Sequence, residues 1–182
     1  VSTVERVAGE MASPFYPVDL VYCILSEEGM ENWSQLQKFL SAHQVSHRIR
    51  SVESGEFSQS SECGRVLAHR HALLEAKRAL CGNVLIPDLS LLDGQQLDAL
   101  SLDGLGKLEQ SGWNSIRLDD ATDSQGGPST QYPRAIACEQ LLFAHLLDSI
   151  PEKAEEVERW LQSGRGLASS YAEAEELHAS KR

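Results

Sequence analysis

A chain of 182 residues fits one domain with a real core and is too short for two ordinary ones. Its 16 basic and 27 acidic residues, a net charge of −11, argue against a nucleic-acid or anionic-membrane binder, because phosphate contacts need a basic surface. The acidity reads first as a solubility feature. No apolar run approaches the ~18 residues of a membrane-spanning helix. Residues 1–17, with Glu5, Glu10 and two prolines, read as a loose leader without the basic start and apolar block of a signal peptide. Cys23, Cys63, Cys81 and Cys138 show no Cys-x-x-Cys spacing, so free thiols in a cytoplasmic protein are expected rather than zinc ligands.

Asp19 to Leu25 is a short apolar run bounded by Pro17 and by Ser26-Glu27-Glu28-Gly29, which predicts a buried strand. Met30, Trp33, Leu36, Phe39 and Leu40 recur at helical spacing and predict an amphipathic helix, with Trp33 and Leu36 in the core. His47 to Val52 suits a second strand, parallel to the first across a right-handed crossover. A polar loop, Ser54 to Ser61, leads into a helix from about Cys63 to Leu80. Its expected buried stripe is Val66, Leu67, Leu73, Leu74 and Leu80, with Arg65 and Glu75 toward water and Gly82 as the stop. Asn83 to Ile86 reads as a central strand that ends in Pro87-Asp88. Leu97, Leu100, Leu105 and Leu108 mark a further helical region, and Trp113 to Leu118 a fourth strand. Asp119 to Gln131 reads as a loop. Ala135 to Ile150 gives a strand or helix start and then a helix. Pro151 divides this from a shorter helix with Val157, Trp160 and Leu161. Leu167 to Arg182 reads as a docked helix or a frayed tail. Strands alternating with helices make the chain α/β.

Several residues have a chemical reading beside a bland one. His69, three residues after Val66 and four before Leu73, lies on or beside the buried face, where a packed histidine and a ligand both fit. Glu62 at a helix start can simply oppose the helix dipole. Gly64 allows a close approach of neighbouring chain. Cys63 and His69 lie nearly two turns apart, too far for a thiol–imidazole pair. Asp119, Asp120 and Asp123 lack the spaced ligands of a calcium loop.

The run Ser61-Glu62-Cys63-Gly64-Arg65-Val66-Leu67-Ala68-His69, followed one helix later by Val84-Leu85-Ile86 and Pro87-Asp88, resembles the core signature of the family 25 glycosyltransferases of bacterial lipooligosaccharide synthesis. That family carries Gly-Glu-x-Gly-Cys-x-x-Ser-His at a helix start and a strand ending in Glu-Asp-Asp. Arg70 to Ala76 and Trp113-Asn114-Ser115-Ile116-Arg117-Leu118 are similar to later family segments, as is Ala135 to Leu142. Residues 18–150 can be laid on the family in order, as the transferase-like domain, with 1–17 a leader and 151–182 a helical extension. Leu25 and Ser26 stand where the family has Asn and Asp.

The resemblance implies a nucleotide-sugar glycosyltransferase fold, Rossmann-like, with a twisted, mostly parallel sheet and helices on both faces. Ligands in such sheets sit beyond the carboxyl ends of the strands. It further implies a donor pocket near Glu62, Gly64 and His69. It also implies a divalent ion, Mn²⁺ or Mg²⁺, at Asp88 to neutralise the departing diphosphate of a nucleotide sugar. Ile86 and Pro87 replace the other two family acids, so Asp88 alone remains. The reading this favours is a degenerate relative, catalytically impaired and used as a binding or assembly module for a protein partner. The alternatives are an active metal-dependent transferase acting on a lipooligosaccharide or other glycan acceptor, and an unrelated α/β protein.

Overall fold

The computed structural model describes residues 17–25, 30–51, 61–92, 100, 108, 113–118 and 133–180. Five strands carry the fold: β1 (Val21–Leu25), β2 (His47–Ser51), β3 (Asn83–Pro87), β4 (Ser115–Arg117) and β5 (Ala135–Glu139). The helices are α1 (Met30–Ala42), α2 (Ser61–Arg78), α3 (Phe143–Ser149), α4 (Ala154–Gln162) and α5 (Leu167–Ser180). The sheet order is β2-β1-β3-β5-β4. β1 pairs in parallel with β2 and β3, whereas β5 is antiparallel to both β3 and β4. The α/β class and the central place of β3 match expectation. The sheet is mixed: β1, β2, β3 and β4 run in one direction and β5 runs against them. The reason is β5, which follows β4 as an antiparallel neighbour, a pairing that needs no crossover helix.

All five residues of β1 are buried because the sheet is covered on both sides. The two-residue period of the strand divides its side chains between the layers. Leu20, Tyr22 and Ile24 pack with Val66, Leu73, Leu146, Val157, Trp160, Leu167 and Tyr171, and so with α2, α3, α4 and α5. Val21, Cys23 and Leu25 pack with Leu36 and Leu40 of α1 and with Leu92, Leu100 and Leu108. Helices α4 and α5 therefore share the core of the sheet, and 167–180 is a docked helix. Trp33, expected in the core, is only half-buried at its margin; Leu36 and Leu40 fill that place. Among the four leucines expected in a helix at 97–108, Leu100 and Leu108 are buried, and Leu97 and Leu105 lie outside the described residues. Residues 1–16 of the leader and the loop 119–131 also lie outside them.

Both crossover helices end in the same way. At the end of α1 the Gln44 N–H donates to Ser41 O at 3.2 Å and the Val45 N–H to Leu40 O at 2.8 Å. At the end of α2 the Leu80 N–H donates to Lys77 O at 3.1 Å and the Cys81 N–H to Ala76 O at 3.0 Å. These are paired Schellman bonds, and they hold Gln44 and Leu80 at φ of 57° and 58°, the left-handed region. Leu80, expected in the buried stripe, is instead 88% exposed, because this turn carries it out of the helix. Gly82 is not the helix stop. Its N–H donates to Asp19 Oδ2 at 2.7 Å, and a Cβ there would meet the same oxygen at 2.9 Å. Asp19 and Asn83, whose side chain reaches the Asp19 N–H and Pro17 O, thus pin the entry of the chain to the start of β3.

Leu80 gains little burial and holds a backbone conformation that costs a side-chain-bearing residue ~1 kcal/mol. Leu80→Gly should therefore stabilise the protein by ~0.5–1 kcal/mol in a urea titration, once glycine's greater freedom when unfolded is counted. A loss of stability would show that the leucine side chain contributes packing.

Candidate functional site

The site is built where β3 ends between two neighbours. Pro87 is in register with Ala135 of β5, and the Asp88 N–H donates to Arg134 O at 2.7 Å. On the other side Asp88 forms a parallel bridge with Ile24 of β1, and the Leu89 N–H donates to Ile24 O at 2.9 Å. The chain then turns: Asp88 Oδ1 accepts the Ser90 N–H at 3.2 Å, and the Leu91 N–H reaches Asp88 O at 3.1 Å. An aspartate that bonds its own backbone two residues on is a strand-to-turn device. Asn32 of α1 holds this turn by donating from Nδ2 to Leu89 O at 2.8 Å and Leu92 O at 3.2 Å.

Asp88 is 1% exposed. A lone carboxylate there would be prohibitively costly, so it requires a partner. Arg65, in the second turn of α2, supplies one: its Nη1 donates to Asp88 Oδ2 in a charge-assisted bond. Arg65 was expected to face water, and the structure corrects this. The cue lay in the sequence, since Arg65, His69, Ala72 and Ala76 recur at spacings of four, three and four, and the last three are buried.

His69, one turn on, is buried with Nε2 at 2.7 Å from the hydroxyl of Tyr171 on α5, and the two rings meet edge to face. Burial holds its pKa down at about 3, so the ring is neutral. Glu62 is exposed and lines a cavity of about 230 Å³ with Leu161 of α4, Gly164, Arg165 and Gly166 of the α4–α5 connection, and Ala168 and Ser169 of α5. Arg165 pairs with Glu173 across that connection at 2.9 Å. Gly64 is buried in the first turn of α2. The Cys63 thiol donates to Ala154 O at 3.5 Å, and burial first, then Glu158, raises its pKa. Cys63, Arg65 and His69 therefore each have their own partner, and Cys63 and His69 are committed to different helices.

The set does not fit a divalent metal at Asp88. Its Oδ2 is held by a guanidinium and its Oδ1 by a backbone N–H, and a metal would lie against the positive charge of Arg65. Among the described residues, no three His, Cys, Asp or Glu side chains gather as a metal-holding group.

Two further residues were not legible as important. Arg70 donates from Nε to Ile150 O at 3.1 Å and from Nη2 to Leu147 O at 3.3 Å, satisfying carbonyls at the end of α3. Glu175 Oε1 accepts both the N–H and the hydroxyl of Ser115 at 2.8 Å, tying α5 to the edge strand β4. No protein-family model matches the chain, and neither a curated protein nor a solved structure matches it.

Removing one member of a buried ion pair leaves the other charge uncompensated, so Arg65→Met should cost ~3–5 kcal/mol in denaturant unfolding. Adding Asp88→Asn, which keeps an oxygen for the Ser90 N–H, should recover most of that loss. Additive losses in the double variant would show that the two residues act independently.

His69 gives a pH signature. Its folded pKa of about 3 lies below the ordinary value of 6.5, so its contribution is complete above about pH 6.5. It is lost as pH falls toward 3, at up to ~1.4 kcal/mol per pH unit, because only the unfolded chain takes the proton. His69→Gln should flatten the acid limb of a stability-against-pH curve by about one proton. An unchanged slope would show that His69 is protonated in the folded protein.

Proposed function

We propose that the chain is a degenerate relative of the family 25 glycosyltransferases, a transferase-like α/β body that serves as a binding or assembly module without donor-site chemistry. One observation carries this reading: the Arg65–Asp88 pair, in which the lone acid after the central strand is already neutralised by its own chain. Transfer from a nucleotide sugar needs positive charge aimed at the departing diphosphate. A closed guanidinium–carboxylate pair is net neutral. It offers neither the carboxylates a divalent ion needs nor a spare cation for phosphate. His69, the other implied pocket residue, is engaged with Tyr171 and buried, which further supports the loss of a donor site.

Thermal unfolding with uridine diphosphate and Mn²⁺ tests the proposal. A ligand that binds the native state at a hundredfold excess over its Kd adds ~2.7 kcal/mol, a shift easily seen. The expected result is no shift and no hydrolysis or transfer with common nucleotide sugars. Turnover by the unmodified protein, lost in Asp88→Ala, would overturn it in favour of an active metal-dependent transferase.

A further inference from the structure

The two edges of the sheet are finished differently. On β4 the outward N–H of Ser115 is taken up by Glu175 of α5. On β2 the phase of the ladder is fixed by the Val21 N–H donating to Ser46 O at 3.0 Å, with Val21 in register with His47. In a parallel ladder this turns the backbone groups of Arg48 and Arg50 toward β1 and those of His47, Ile49 and Ser51 outward. Among the described residues, no strand lies outside β2 and no backbone hydrogen bond reaches the outward groups of His47 and Ile49.

The side chains beside this open edge differ by face. Arg48 is exposed and in register with Tyr22, on the α2 side of the sheet. Ile49 is in register with Cys23, on the α1 side, and is 40% exposed. We propose that the outer edge of β2 takes an extended segment of a partner protein as a sixth strand, with acidic residues along the α2 side and apolar residues along the α1 side. Backbone bonds at His47 and Ile49 supply the affinity, and Arg48 and Ile49 choose the pattern.

The charges choose between occupants. Two whole chains of net charge −11 repel each other, whereas a short acidic segment laid along the edge meets the local positive charge of exposed Arg48. Arg48, exposed beside the open edge, therefore favours an acidic strand. The edge can work in this way whether or not any transferase chemistry survives.

The test uses a short labelled peptide of alternating Glu and Val, with a Lys–Val peptide as control, followed by fluorescence anisotropy. The Glu–Val peptide should bind, the Lys–Val peptide should not, and amide exchange at His47 and Ile49 should slow when the first is present. Arg48→Glu should weaken binding ~10-fold or more. Ile49→Pro should abolish it while leaving the fold intact, since the N–H it removes points away from the sheet. Should that variant unfold, the Arg48→Glu result and the exchange data decide alone. Failure of the Glu–Val peptide to bind, equal binding of both peptides, or binding indifferent to Arg48→Glu would overturn the proposal. So would self-association of the protein that Ile49→Pro removes, which would assign the edge to a second copy.

Discussion

A buried carboxylate at the end of the central strand constrains the rest of the molecule. Asp88 sits where β1, β3 and β5 converge, and its charge can be kept there only by a cation delivered from another element. Arg65 delivers it, which fixes the depth and rotation of α2 over the sheet. The other bonds of α2 follow from that placement: Cys63 reaches the start of α4, His69 reaches α5, and Arg70 closes the end of α3. A change at the ion pair is thus a change in how a whole layer of helices is seated.

This arrangement recasts the chemical motif as a set of latches. The residues that draw attention in the sequence, from Glu62 to His69 and then Asp88, lie on the elements expected of a donor site. Yet Cys63, Arg65, His69 and Asp88 spend their polar atoms within the chain. Polar groups satisfied in this way make a body more rigid and more specific in shape, and they are poorly placed to meet a substrate as well. The same economy appears at Glu175, where a carboxylate finishes the β4 edge. The β2 edge has no such finish among the described residues.

The sequence by itself determined the class and the order of elements. The fully apolar runs at 21–25 and 84–86 could only be strands covered on both faces, and the 3.6-residue spacing of Leu36 and Leu40 marked α1. It also singled out Asp88, since an acid ending a central strand has few cheap places to go. Tertiary structure alone decided three things. The direction of β5 depends on which strand lies beside it, and an apolar run buried on both faces carries no mark of direction. The exposure of Leu80 comes from the left-handed helix end, which composition would have assigned to Gly82. The fate of the motif residues was settled by groups far away in the chain: Tyr171 lies 102 residues from His69, and Asp88 lies 23 from Arg65. Helical spacing reports which face a residue occupies, but not what waits on the other side. That is why a packed histidine and a ligand read alike until the partner helix is in place.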